Sequence, residues 1–360
     1  KNEGLGDIGM ELIDNPIYQS ELKKVMNHAV NLVNLDKKSI LMIGASGMIG
    51  SFLIDTLMAA NEQLGIQIKI YAMGRNRLKL EKRFEKYLQL DTFEIVEGDV
   101  TNSIPKEVQA DYLIHGASNT HPRAYVTDPI GTIMTNLVGT EQVLKHAVAT
   151  RPVRVLFLST VEIYGENRGD VEKFTEDYCG YIDCNTLRAG YPEGKRVSES
   201  LCQAYIEKYD LDIVIPRLCR TFGPTMLLSD TKASSQFILN AVEQKDIILK
   251  SEGNQYFSYI YVGDAVSAIL HLLLEGKKGE AYNVSSENFD LRLKELAQQL
   301  AEISDKKVIF DLPDGIEQKG FSTASTAILD NKKIKENGWY PIFELRESLK
   351  NTVELVKGEK

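Results

Sequence analysis

Tyr191 and Lys195 stand four residues apart in Tyr-Pro-Glu-Gly-Lys, downstream of an apolar run that closes on Ser159-Thr160-Val161-Glu162-Ile163-Tyr164-Gly165. On a helix, that spacing puts the phenol and the ammonium on one face. An ammonium beside a phenol favours the phenolate, so a group with an ordinary pKa of about 10 is drawn toward use as an acid/base near neutrality. Hydride transfer at a carbinol carbon needs such a group, because the hydroxyl proton must leave as the hydride does. Solvated helix faces carry such pairs by chance, and it is the residues upstream that give this one weight.

The apolar segment Ser39-Ile40-Leu41-Met42-Ile43 runs straight into Gly44-Ala45-Ser46-Gly47-Met48-Ile49-Gly50, and an amphipathic stretch from Phe52 to Met58 follows. Strand, glycine turn and helix in that order are the context of a dinucleotide-binding fingerprint. Gly44 permits the tight turn, Gly47 lets the backbone approach a pyrophosphate and Gly50 allows close helix to strand packing, with the helix N-terminus facing the anion. Ser46, Met48 and Ile49 complete the candidate cradle. The second strand, Ile70-Tyr71-Ala72-Met73, runs into Gly74-Arg75-Asn76-Arg77. It ends without the carboxylate that binds a ribose 2′-hydroxyl and with cations suited to a 2′-phosphate, which favours NADP over NAD.

The elements that must position these residues alternate along the chain. Strands are expected at 38–43, 67–72, 92–96, 111–115, 153–158 and 211–216, and helices at 48–60, 76–89, 129–149 and 191–209. Near-continuous apolar strands such as 153–158 imply a parallel sheet covered on both faces. The expected fold class is therefore α/β, a Rossmann-type doubly wound parallel sheet with a smaller C-terminal substrate-binding lobe. Residues 1–37 form an N-terminal helical extension with a helix from Ser20 to Leu35, and 38–217 the dinucleotide-binding domain. Residues 218–360, with helices at 233–244, 264–274, 291–303 and 345–356, form mainly the substrate lobe, partly interleaved with the first.

The 360 residues suffice for a large core, and 43% apolar and 26% charged residues are ordinary for a soluble protein. A net charge of −9 argues against nucleic acid or an anionic membrane as partner, so an anionic ligand must be held by local donors. Cys179, Cys184, Cys202 and Cys219 show neither metal-ligand spacing nor a small-domain disulfide pattern, so no metal is expected. No apolar span reaches membrane length and no segment reads as a secretory leader. Reduced thiols in the cytoplasm are expected.

Taken in order, these motifs resemble the extended short-chain dehydrogenase/reductases, the family of nucleotide-sugar epimerases, dehydratases and decarboxylases. The resemblance rests on the turn at 44–50, Gly98-Asp99-Val100, His115-Gly116-Ala117-Ser118, Asn136, Ser159-Thr160, Tyr191 with Lys195, Pro216-Arg217, Phe222-Gly223-Pro224 and Tyr261-Val262-Gly263-Asp264-Ala265. Within the family the nearest likeness is to UDP-glucuronate decarboxylases. The resemblance implies that Tyr191 is the acid/base on a sugar hydroxyl, with Thr160 on the same oxygen and Lys195 on the nicotinamide ribose. It places Asp99 and Val100 near the adenine, and Ala117, Ser118 and Asn136 at the cofactor, with Asn136 also ordering the active-site backbone and water. Ser118, Arg188, Arg220 and Phe257 would meet the substrate, and Glu162 stands as a second base.

Three departures sharpen the expectation. Val161 occupies the place where the 4,6-dehydratases of the family have a proton-donating Asp. Phe257 stands where decarboxylases have an Arg, and Arg220 where Asn is common, so a cation is either lost or relocated. The resulting reading is a nicotinamide-dependent enzyme that oxidises and rereduces a carbon of a nucleotide-activated sugar, with little or no decarboxylation of UDP-glucuronate. Alternatives are an NADPH-dependent net reductase of a nucleotide-linked keto sugar and a non-catalytic dinucleotide sensor. A homodimer through the helices at 129–149 and 191–209 is a further expectation of the resemblance.

Overall fold

In the computed structural model, residues 12–29, 31–118, 120, 122–311 and 325–358 are described, with the side chains of 122–124 left aside. Strands β1 (Ser39–Ile43), β2 (Lys69–Gly74), β3 (Phe93–Glu97), β4 (Tyr112–His115), β5 (Arg154–Phe157), β6 (Ser159–Thr160) and β7 (Ile213–Leu218) come first in the chain. With β11 (Ala281–Val284) they make an eight-stranded sheet ordered β11-β7-β5-β4-β1-β2-β3, with β6 on β7. Every pairing in it is parallel. The order runs outward in both directions from β1 and β4, so helices cover both faces and a crevice opens at the carboxyl ends of those strands.

Burial explains why these segments became strands. Ile40, Leu41, Met42 and Ile43 are all shut off from solvent, as an interior parallel strand requires. The register of β2 falls two residues later than the sequence pattern suggests, and the helix after it is short, Arg77–Arg83, capped by Asn76. The helices Pro129–Thr150 and Gly190–Tyr209 pack side by side on one face. Gly194 permits their approach, since a Cβ there would lie 3.1 Å from that of Asn136.

The N-terminal helix runs from Pro16 to His28, with Asn15 accepting from the Ile17 amide, instead of from Ser20 to Leu35. Proline at its first position and the Asn cap fix the start, and extended Ala29 ends it. Leu32–Leu35 form a separate 3₁₀ turn. The helix is not peripheral. Tyr18, Leu22 and Val25 are fully buried, packed against the helices Met48–Leu64 and Val262–Glu275. Its Glu21 accepts hydrogen bonds from Tyr261 and from Asn351.

The rest of the chain is smaller in its elements. Strand β10 (Tyr256–Tyr261) pairs in parallel with β8 (Arg220–Phe222) and with β14 (Thr326–Ala327), and antiparallel with β12 (Asp290–Arg292). Strand β9 (Ile247–Leu249) pairs with β13 (Val308–Phe310). Helices Ala233–Val242, Leu293–Ser304 and Leu345–Lys357 pack around them. Because β11 returns to the large sheet, the two parts share one chain path without a clean cut. Among the described residues no helix is long and apolar enough to cross a membrane.

Candidate active site

A cavity of about 940 Å³ lies at the carboxyl ends of the strands and runs toward the smaller part of the protein. Gly44, Ser46, Gly47, Met48, Ile49 and Gly50 line one end of it. Gly44 has φ +91°, and a Cβ there would stand 2.9 Å from the Ala117 nitrogen. A Cβ on Gly50 would lie 2.6 Å from the Gly44 carbonyl oxygen. Neither position accepts a side chain without movement of backbone. The helix Met48–Leu64 starts at Gly47 with no side chain capping it, so its first amides remain available to an anion. This cradle fits the diphosphate of a dinucleotide.

Arg75 lines the cavity just past β2, and Lys79 lies beside it. Partial burial and the Arg75 charge hold the Lys79 amine below its usual range. Asn76 does not reach the cavity: its side chain accepts from the Lys79 amide at 2.9 Å, because the helix start needs a cap. Across the turn, Asp99 and Val100 line the wall. Burial opposes ionisation of Asp99, but hydrogen bonds from Thr101 outweigh it and hold the carboxyl below its usual range.

Tyr191, Lys195 and Thr160 line the middle of the cavity with Ala117 and Ser118. Ser118 Oγ donates to Asn136 Oδ1 at 2.9 Å, and Asn136 Nδ2 donates to the Thr132 carbonyl. Asn136 thus stands behind the wall as a brace and not in it. Tyr191 is 6% exposed. Burial raises its phenol well above the ordinary value and the Glu162 charge adds to this, against a hydrogen bond with Thr160 and the charge of Arg188.

Lys195 is not the cation that eases this phenol. Its Nζ donates to the Leu158 carbonyl at 2.8 Å and sits 4.7 Å from the centre of the Phe157 ring. A buried ammonium must have an acceptor, and the chain end of β5 provides one. Burial brings Lys195 down to about 8, with the Glu199 charge opposing. Glu199 itself is held by Arg217, Nη2 to Oε2 2.7 Å.

Beside Tyr191, Arg188 Nη2 donates to Glu162 Oε2 at 2.9 Å, and Arg220 Nη2 lies 3.8 Å from Glu162 Oε1. Arg188 also stacks over Tyr125 at 4.9 Å, and Tyr125 lies on Tyr191. Arg220 is drawn over Phe257, its Cζ 3.5 Å from the ring centre. Parallel pairing of β8 with β10 sets Arg220 opposite Tyr259, two residues from Phe257. The place that reads in sequence as an aromatic without charge therefore has a guanidinium lying on it. All four of Glu162, Arg188, Arg220 and Phe257 line the cavity. Val161 also lines it and supplies only hydrocarbon.

Sequence reasoning passed over Tyr125 and Lys79. Lys79 was within sight, in the first turn of the helix that follows Arg75. Tyr125 gave no signal, since its short helix Pro122–Thr127 lies in a segment without hydrophobic period.

A model of the NAD dependent epimerase/dehydratase family matches residues 40–285. The chain is 32% identical over 315 residues to UDP-glucuronic acid decarboxylase 6 of Arabidopsis thaliana, covering 86% of each. It is 30% identical over 329 residues to UDP-glucuronic acid decarboxylase 1 of Xenopus tropicalis, covering 90% of this chain and 73% of that one. Its fold superposes on UDP-glucuronic acid 4-epimerase from Bacillus cereus, in complex with UDP-glucuronic acid and NAD, with a TM-score of 0.75 at 20% identity over 89% of this chain and 99% of the other.

Proposed function

The chain belongs to the NAD dependent epimerase/dehydratase family, and from that membership we propose that it oxidises and rereduces a carbon of a nucleotide-activated sugar, as an epimerase or decarboxylase does. The observation that carries this reading is the convergence of Thr160, Tyr191 and Glu162 with the uncapped glycine turn on one cavity. A nicotinamide dinucleotide bound there supplies the acceptor and donor of hydride. The first amides of the helix Met48–Leu64 hold its diphosphate, Asp99 and Val100 meet the adenine end, and Lys195 holds the ribose next to the reacting carbon. Tyr191 takes the proton of the sugar hydroxyl and returns it, with Thr160 hydrogen-bonded to the same oxygen. Glu162 is the second carboxylate within reach of the sugar, placed by its two arginine partners.

Residues 38–217 serve chiefly the dinucleotide and much of 218–360 the sugar nucleotide. For the cofactor, Arg75 and Lys79 just past β2, a strand that itself ends without an acid, support NADP, although Asp99 lies near enough to feel the Arg75 charge. The test is NMR product analysis after incubation with UDP-glucuronate and UDP-glucose, each with NAD+ and with NADP+. A new sugar nucleotide with no net change in cofactor supports the reading. Unchanged substrates in every combination, from protein that binds the cofactor, refute it. The same cation pair favours a second reading, net reduction of a nucleotide-linked keto sugar, for which NADPH would be consumed in step with product.

A homodimer belongs to the same proposal. Ile130, Met134 and Val197 are exposed apolar residues on the helices Pro129–Thr150 and Gly190–Tyr209, with Ile130 75% exposed. Sedimentation of wild type and Ile130→Asp would show a dimer that the variant loses.

A further inference from the structure

We infer that Arg188 and Arg220 together form an oxyanion subsite beside Tyr191, one that binds a negatively charged oxygen group of the sugar nucleotide. This deepens the reading above and rests on it for the identity of the ligand. Each guanidinium lines the cavity, and each has its Nη1 shut off from solvent with no hydrogen-bond partner. A buried N–H without an acceptor costs free energy, so neither fork is fully spent on the fold. The parts of the two side chains that remain open, 27% of Arg188 and 20% of Arg220, are what a ligand in the cavity meets. Their other terminal nitrogens share a single carboxylate, that of Glu162. Two guanidiniums against one carboxylate leave one positive charge over. Phe257 supports Arg220 from beneath without neutralising it, and Tyr125 does the same for Arg188. Flat supports of this kind hold the forks in place for an oxygen pair.

Two parts of a sugar nucleotide carry that chemistry, a carboxylate on the sugar and the diphosphate that joins it to the nucleoside. The inference covers both, and the probes separate them. UDP-glucuronate and UDP-glucose share the diphosphate and differ in one carboxylate, whereas pyrophosphate and glucuronate each present one group alone. Binding is measured by calorimetry with NAD+ present, for wild type, Arg220→Met, Arg188→Met and Glu162→Gln, with thermal melting as the check on folding.

Loss of either arginine should weaken oxyanion binding about 10- to 100-fold. Glu162→Gln should tighten it several-fold, because the competing carboxylate is gone, and an ion pair that only held the fold together would not produce that gain. A loss confined to UDP-glucuronate and glucuronate assigns the sugar carboxylate. An equal loss for both sugar nucleotides and pyrophosphate assigns the diphosphate. If folded variants bind all four probes within twofold of wild type, the subsite does not exist. Should the arginine variants fail to fold, Glu162→Gln decides alone, and no tightening refutes the inference. If wild type ignores both sugar nucleotides yet binds pyrophosphate or glucuronate in an Arg220-dependent way, the sugar-nucleotide reading falls and the subsite stands.

Discussion

Tyr125 lies stacked on Tyr191, ring centres 5.1 Å apart and planes inclined by 21°. The proposed acid/base is thus packed on one face, with its hydroxyl hydrogen-bonded to Thr160. Tyr191→Phe keeps that stacking and removes the proton carrier. It should leave the melting temperature within a few degrees and cut turnover of an identified substrate by a factor on the order of 10² to 10⁴. Thermal melting beside a turnover assay checks this, and near wild-type turnover would remove Tyr191 from the chemistry.

On the proposed NADP preference, Arg75 and Lys79 are the cations that meet a ribose phosphate. Arg75→Ala should weaken NADP(H) binding about tenfold and change NAD(H) binding by less than about twofold. Fluorescence titration with NADH and NADPH gives both values. Equal losses would make Arg75 a general phosphate contact with no say in cofactor choice.

Val161 faces the cavity where a proton donor would be needed to expel a sugar 6-hydroxyl as water. Incubation with dTDP-glucose and either cofactor should therefore yield no 4-keto-6-deoxy product by NMR. Its appearance would mean that another group delivers the proton.

Asp264 gives a pH-dependent stability. Burial raises its carboxyl to about 7, against hydrogen bonds from the Ile342 and Phe343 amides. A folded-state pKa above the unfolded value of about 3.9 means stability that is complete below that value and lost as pH rises toward 7. Chemical denaturation of wild type and Asp264→Asn between pH 5 and 7 should show the variant losing less with rising pH, by roughly 2 kcal/mol at most. Parallel profiles would show that Asp264 titrates normally.

Sheet, crossover helices and glycine turn were legible because their signals are local: a closed apolar strand, a turn that only glycine fits, a helical period. The long helices at 129–150 and 190–209 were read to within a residue. The N-terminal helix was placed too late because apolar spacing continues past His28, whereas the Asn15-Pro16 start signal was passed over. Contacts across the fold were out of reach. Nothing in the chain says that Lys195 will turn to Leu158, or that Arg220 will lie on Phe257. The first contact is made by a helix packing against the end of a strand, the second by strand pairing between distant segments. The sequence did raise the relocated cation as a question, through an Arg and a Phe each in an unusual place.

Glu21 meets Tyr261 and Asn351, partners 240 and 330 residues further along the chain. During synthesis one flank of the helix Pro16–His28 can be covered early by Met48–Leu64, through pairs such as Tyr18 with Asp55. The other flank has no cover until Tyr261 and the helix Val262–Glu275, and later Asn351, have left the ribosome. This helix is made early but seated late, and closing so long a loop adds entropy cost while the exposed apolar flank invites wrong partners. A nascent chain stalled before residue 261 would carry that flank open, which makes it a natural place for a chaperone to hold.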